Sequence, residues 1–69
     1  MANNKRKNNI LSTILIGVIN SVILLEQTER NTALSATNTL DKNIALARAD
    51  SYKTVVLMLQ EQLVNNFNE

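Results

Sequence analysis

Residues 10–25 read Ile-Leu-Ser-Thr-Ile-Leu-Ile-Gly-Val-Ile-Asn-Ser-Val-Ile-Leu-Leu, sixteen residues without a charge, set directly behind the basic arm Lys5, Arg6 and Lys7. Within this run Leu11, Leu15, Val18, Val22 and Leu25 recur at spacings of four and three, the seam of a helix that packs along another helix. Ile14 and Ile19 widen the apolar stripe. The side opposite it is narrow and holds Thr13, Gly17, Asn20 and Ser21. Half of the run is β-branched, which makes a strand pair the competing local reading. Strict alternation and a hairpin-turn dipeptide are both missing, so the period favours a helix.

Working outward, the C-terminal half repeats the pattern in more polar form. Ala45, Ala49, Tyr52, Val56, Leu59 and Leu63 again follow the four-three spacing, with Val55 and Phe67 flanking, while Asp50, Lys53, Gln60 and Glu61 fall on the other face. Leu57, Met58 and Val64 stray from the stripe and mark a second contact surface or a scatter of exposed apolar residues. Tyr52 reads as a core ring whose hydroxyl reaches the edge. There is no Pro, and Gly17 is the only Gly, so strong turn punctuation is missing throughout.

Between the two seams, Ser35-Ala-Thr-Asn-Thr39 is the best turn, because Ser, Thr and Asn compete with helical backbone bonding and make good N-caps. Asn38 or Thr39 is the expected cap of the second helix, with Asp41 at its positive dipole end. The organisation expected is therefore a basic, Asn-rich arm over 1–8, an apolar helix over 9–34, a turn over 35–39 and an amphipathic helix over 40–67. One continuous helix of about 60 residues, on the order of 90 Å long, is the alternative. Against it, the seams do not join: Glu29, Thr32 and Asp41 stand where the first pattern would continue. In a hairpin folded near residue 37, paired numbers sum to about 75, which places Leu11 near Val64, Val18 near Leu57 and Leu25 near Asp50.

A chain of 69 residues builds only a small core, so it needs help from disulfides, metals, association or lipid. With no Cys and no His, disulfides are impossible and the usual zinc ligands are missing. The same absences remove the ordinary general base and the strongest nucleophile. The carboxylates Glu26, Glu29, Asp41, Asp50, Glu61 and Glu69 are scattered, as on solvated helix faces, and one Gly cannot make a phosphate-binding loop. No catalytic, metal or cofactor site and no small-molecule substrate is expected.

The expected fold is all-α, a helical hairpin of two long helices assembled into a bundle or larger oligomer. The expected function is that of a non-enzymatic structural or adaptor subunit whose partner is a second copy or another protein. Its interface residues are Leu11, Leu15, Val18, Val22, Leu25, Tyr52, Val56, Leu59 and Leu63. The richness in Asn, Lys and Ile and the small helical design resemble phage and mobile-element proteins in general, a likeness without a motif from which no property is taken. The heptad seam, the polar strip at Thr13, Gly17, Asn20 and Ser21 and the matching apolar stretch at 55–64 place cytoplasm or virion assembly ahead of a membrane.

A single-span membrane protein with a cytoplasmic arm is the second reading. Lys5, Arg6 and Lys7 form a positive-inside flank, and Thr13, Gly17 and Ser21 make a close-packing strip of small residues. Sixteen residues fall just short of a span, and Asn20 lies near the middle. A cleaved signal peptide fits less well, since Glu26, Glu29 and Arg30 occupy the cleavage region. The third reading is a regulator that uses the arm on nucleic acid. The first ten residues carry +3, and residues 11–69 carry four basic against six acidic side chains, or −2. If each basic residue of the arm meets one phosphate, log affinity falls against log salt with a slope of about three; a flat response in a shift assay removes this reading.

Overall fold

The computed structural model describes the backbone of residues 2–68 and the side chains of residues 9–67. The chain folds as an all-α hairpin of α1 (Ala2–Ser35) and α2 (Thr39–Asn68), packed antiparallel along their length. Its backbone spans 56 × 14 × 10 Å, a slab two helices wide and one helix thick. The helical backbone of α1 begins at Ala2, so it takes in the stretch read as an arm. The side chains of Lys5, Arg6 and Lys7 lie outside the described residues, and so does Glu69.

The turn closes through the residues that compete best with helical bonding. The N–H of Ala36 donates to the Ala33 carbonyl at 3.3 Å, which tightens the last turn of α1. Asn38 then caps α2. Its side-chain oxygen accepts the Asp41 N–H at 2.8 Å, its amide donates back to the Asp41 carboxylate at 3.0 Å, and its carbonyl accepts the Lys42 N–H at 3.2 Å. Asn38 and Asp41 thus pair reciprocally as in a capping box, but Asp41 accepts the Asn38 side-chain amide in place of its backbone N–H, and its carboxylate also lies at the positive end of the α2 dipole. No described residue needs a positive φ to make the reversal.

Along α2 the buried side is the one its heptad pattern marks. Ala45, Ala49 and Val56 are buried, and Tyr52, Leu59 and Leu63 are half-buried. Along α1 the seam lies elsewhere. The inward residues are Ser12, Leu15, Ile19, Val22, Glu26, Glu29 and Ala33, whereas Leu11, Val18 and Leu25 remain 40%, 42% and 46% exposed. Leu15 and Val22 are common to both rows. The rotation follows from the closed end, where Ala33, Ala45 and Ala49 are the residues small enough for two helices to approach at a tight turn. Counting back from Ala33 in sevens gives Glu26, Ile19 and Ser12, so the alanine contact turns these toward α2.

Register shifts with it. Asn66 Nδ2 donates to Ser12 Oγ at 2.8 Å near the open end, and Arg30 Nη2 donates to Asp50 Oδ1 at 3.3 Å toward the closed end. These pairs sum to 78 and 80 rather than 75, about one helical turn from the expected register. At a sum of 78, Ala33 stands level with Ala45, Glu26 with Tyr52, and Ile19 with Leu59.

Half of residues 10–25 are β-branched, which lowers intrinsic helix preference, so α1 relies on packing rather than propensity. Ala49 is fully buried in the seam between the helices. Ala49→Leu is therefore expected to force them apart and destabilise the hairpin by about 1–3 kcal/mol in a urea melt. An unchanged midpoint would show that the alanine contact does not set the spacing.

Candidate functional site

A two-helix slab presents two broad faces and two edges, and the helical spacing distributes the remaining side chains among them. On one broad face α1 contributes Leu11, Ile14, Val18, Ser21, Leu25, Thr28 and Thr32. The α2 row beside it is Asp41, Ile44, Arg48, Ser51, Val55, Met58, Gln62 and Asn65. Two grooves identify this face. One, about 350 Å³, lies near the open end among Leu11, Ile14, Leu15, Gln62, Asn65 and Asn66. The other, about 490 Å³, lies at the closed end among Glu29, Thr32, Ser35, Asp41, Ile44, Ala45 and Arg48.

The opposite broad face is more polar. It carries Asn20, Gln27, Arg30, Asp50, Lys53 and Gln60 among Ile16, Ile23, Leu57, Val64 and Phe67. Its main ordered feature is an ion pair network. Arg30 Nε donates to Glu26 Oε2 at 2.8 Å, one helical turn away, while its Nη2 reaches Asp50 on α2. The bond to the Glu26 carboxylate, and then that to Asp50, hold the Arg30 guanidinium above its ordinary range, opposed only by some loss of hydration. Arg30 is charged at any accessible pH, so the network ties the helices without acting as a switch. Glu26 sits in the seam at 18% side-chain exposure, and Arg30 is what lets a carboxylate occupy it.

The first face is distinguished by its charge pattern. From Leu11 to Thr28 on α1 and from Ser51 to Asn65 on α2 it has no ionisable side chain, and Leu11, Ile14, Val18, Leu25, Val55 and Met58 are all exposed on it. Among the described residues of this face, charge returns only at the closed end, with Glu29, Asp41 and Arg48. Among the described residues neither Glu29 nor Arg48 forms an ion pair within the chain.

The residues expected at an interface therefore divide into two sets. Leu15, Val22, Tyr52, Val56, Leu59 and Leu63 line the seam inside the hairpin, whereas Leu11, Val18 and Leu25 project from the broad face. The burial of Ser12 and Ala33 was missed by reading apolar residues alone. Small residues level with Ala45 and Ala49 were the signal that could have found it.

Thr13, Gly17 and Ser21 all lie on the exposed side of α1, away from α2. A Cβ added at Gly17 would meet nothing within 4 Å. The flanking hydroxyls are satisfied within the helix, Thr13 donating to the Asn9 carbonyl at 2.9 Å and Ser21 to that of Gly17 at 3.0 Å. Thr28 does the same toward Leu24. Such bonding needs no water, so these positions tolerate an apolar surrounding.

The described residues contain no group of three or more side chains able to hold a metal ion. No family model, curated protein or solved structure matches this chain.

Because Gly17 touches nothing, Gly17→Ala is expected to stabilise α1 by about 0.5–1 kcal/mol, through reduced freedom of the unfolded chain. A denaturant midpoint that falls would mean the small strip packs against a partner.

Proposed function

We propose that the chain works by helix-helix association, as a small non-enzymatic structural or adaptor subunit, with its uncharged broad face as the contact surface. The observation that carries this reading is the charge-free span bearing Leu11, Ile14, Val18, Leu25, Val55 and Met58. Each is at least 40% exposed in the hairpin. Contiguous apolar surface of this kind is uncommon on an isolated soluble chain and marks a surface that something covers. Its seam also contains little large apolar volume, since Ala33, Ala45 and Ala49 make up much of the buried set alongside Ile19 and Val56. Association would supply the burial that the seam lacks.

Engagement of a membrane by α1 is a second reading that a specific observation supports. Asn9–Ser35 is 27 residues long with a mean hydropathy of 1.8 in its most apolar window, and only 11% of that window is buried in the hairpin. At 1.5 Å per residue it extends about 40 Å, more than the roughly 30 Å of bilayer hydrocarbon, although Glu26, Glu29 and Arg30 fall within it and leave the uncharged run at residues 10–25. The hairpin as folded fits this poorly. Lys53 and Glu61, both exposed on α2, stand beside the apolar run of α1, and a charge at the bilayer centre costs roughly 2.5–3.5 kcal/mol. Spanning would require α1 to leave α2.

Light scattering with and without detergent tests these readings. The association reading expects a discrete oligomer without detergent, reduced to the 7.7 kDa chain by Val18→Asp. Asn20→Asp, on the other broad face, is expected to leave the mass unchanged. An unaltered mass for Val18→Asp would overturn the contact surface, and recovery of the chain only in detergent would favour the membrane reading.

A further inference from the structure

We infer that the partner on this face is a second copy of the chain, docked about a two-fold axis parallel to the helices, so that both turns lie at the same end of a four-helix bundle. This rests on the association reading and adds the occupant and its orientation. The first support is area. Over the roughly 45 Å length of α2, the 14 Å wide face offers on the order of 630 Å² per copy, at the lower end of the roughly 600–1,000 Å² per partner of a stable interface.

The second is the distribution of polarity along that face. Among the described residues of that face, Leu11, Val18 and Leu25 occupy the open end and middle, and the ionisable side chains occupy the closed end. With the turns together, apolar meets apolar and charge meets charge. With the turns at opposite ends, each Arg48 would lie against the uncharged region around Leu11 of the other copy, burying a cation without a partner.

The third is complementarity of charge. A two-fold axis along the slab sets α1 of one copy across from α2 of the other and preserves height. By the observed register, Arg48 then stands level with residue 30 of the second copy, one position from Glu29. Within one chain these two side chains line the same cleft without forming an ion pair. Each is thus available to its counterpart across the axis. All neighbouring helices in the resulting bundle are antiparallel, the arrangement that up-and-down bundles use.

The chain has no cysteine, so Thr37→Cys gives a single spin-label site at the exposed turn. The expected distance between labels in the dimer is about 20–30 Å, from helix spacings of roughly 8–10 Å plus the label arms. A distance near the 56 Å length of the slab would overturn the same-end orientation while leaving self-association in place. A monomer mass, or dispersal only in detergent, would overturn self-association itself.

A charge exchange supplies an independent readout. Arg48→Glu and Glu29→Arg are each expected to raise the dimer Kd about tenfold, and mixing the two variants should restore affinity through heterodimers carrying both complementary pairs. Failure of the mixture to bind more tightly than either variant alone would overturn the cross-copy pair.

Discussion

The burial of three small residues, Ala33, Ala45 and Ala49, in the seam beside the turn is the constraint on which the rest of the hairpin depends. A reversal through three residues, Ala36 to Asn38, brings the ends of two long helices together before either has room for a large side chain. Only small residues permit that approach, so they fix which side of α1 faces α2. Once the angle is set at the closed end, a straight helix carries it to the open end. Ile19 enters the seam because it lies two heptads before Ala33, and Ser12 enters it one heptad earlier still. Hydrophobicity does not choose the buried side here; geometry at the turn does.

That choice has an electrostatic consequence and a surface consequence. Glu26 is brought into the seam, where a lone carboxylate would be unfavourable, and Arg30 one turn on neutralises it while extending to Asp50. The ion pairs are partly exposed and therefore screened, so they serve orientation more than stability. At the open end Ser12 and Asn66 meet by a hydrogen bond, a polar contact inside a seam that penalises slippage of one helix along the other. The surface consequence is the displacement of Leu11, Val18 and Leu25 onto a broad face. Had α1 turned to bury them, the seam would be richer in large side chains and the slab would have no charge-free face.

The sequence made the helices, the turn, the Asn38 cap and the whole α2 seam legible. Each of these depends on local chemistry or on a single amphipathic period with polar residues on the far side. On α1 the heptad pattern joins Leu11, Leu15, Val18, Val22 and Leu25 in one interface row, of which only Leu15 and Val22 face α2, because apolar residues surround most of that helix. A stripe that wraps so far around has no single preferred face, and its rotation is decided by the partner. The register missed by about one turn for a related reason: pairing was counted from the middle of the loop, while the alanines set where contact begins. Of the candidate site, the residues were visible in the sequence, but their grouping on one face required the rotation.

Under the proposed association, folding and assembly become a single problem for this chain. A helix with many β-branched residues gains little from intrinsic propensity and must be held by packing. Three of the buried apolar residues are alanines, which contribute little apolar area, so the hairpin seam supplies only part of that packing. The remainder lies on the face carrying Leu11, Val18 and Leu25, where burial requires another molecule. A partner that binds the folded hairpin and not the unfolded chain stabilises it by mass action. Stability should then rise with protein concentration, as it does for obligate assemblies whose protomers lack an adequate core of their own.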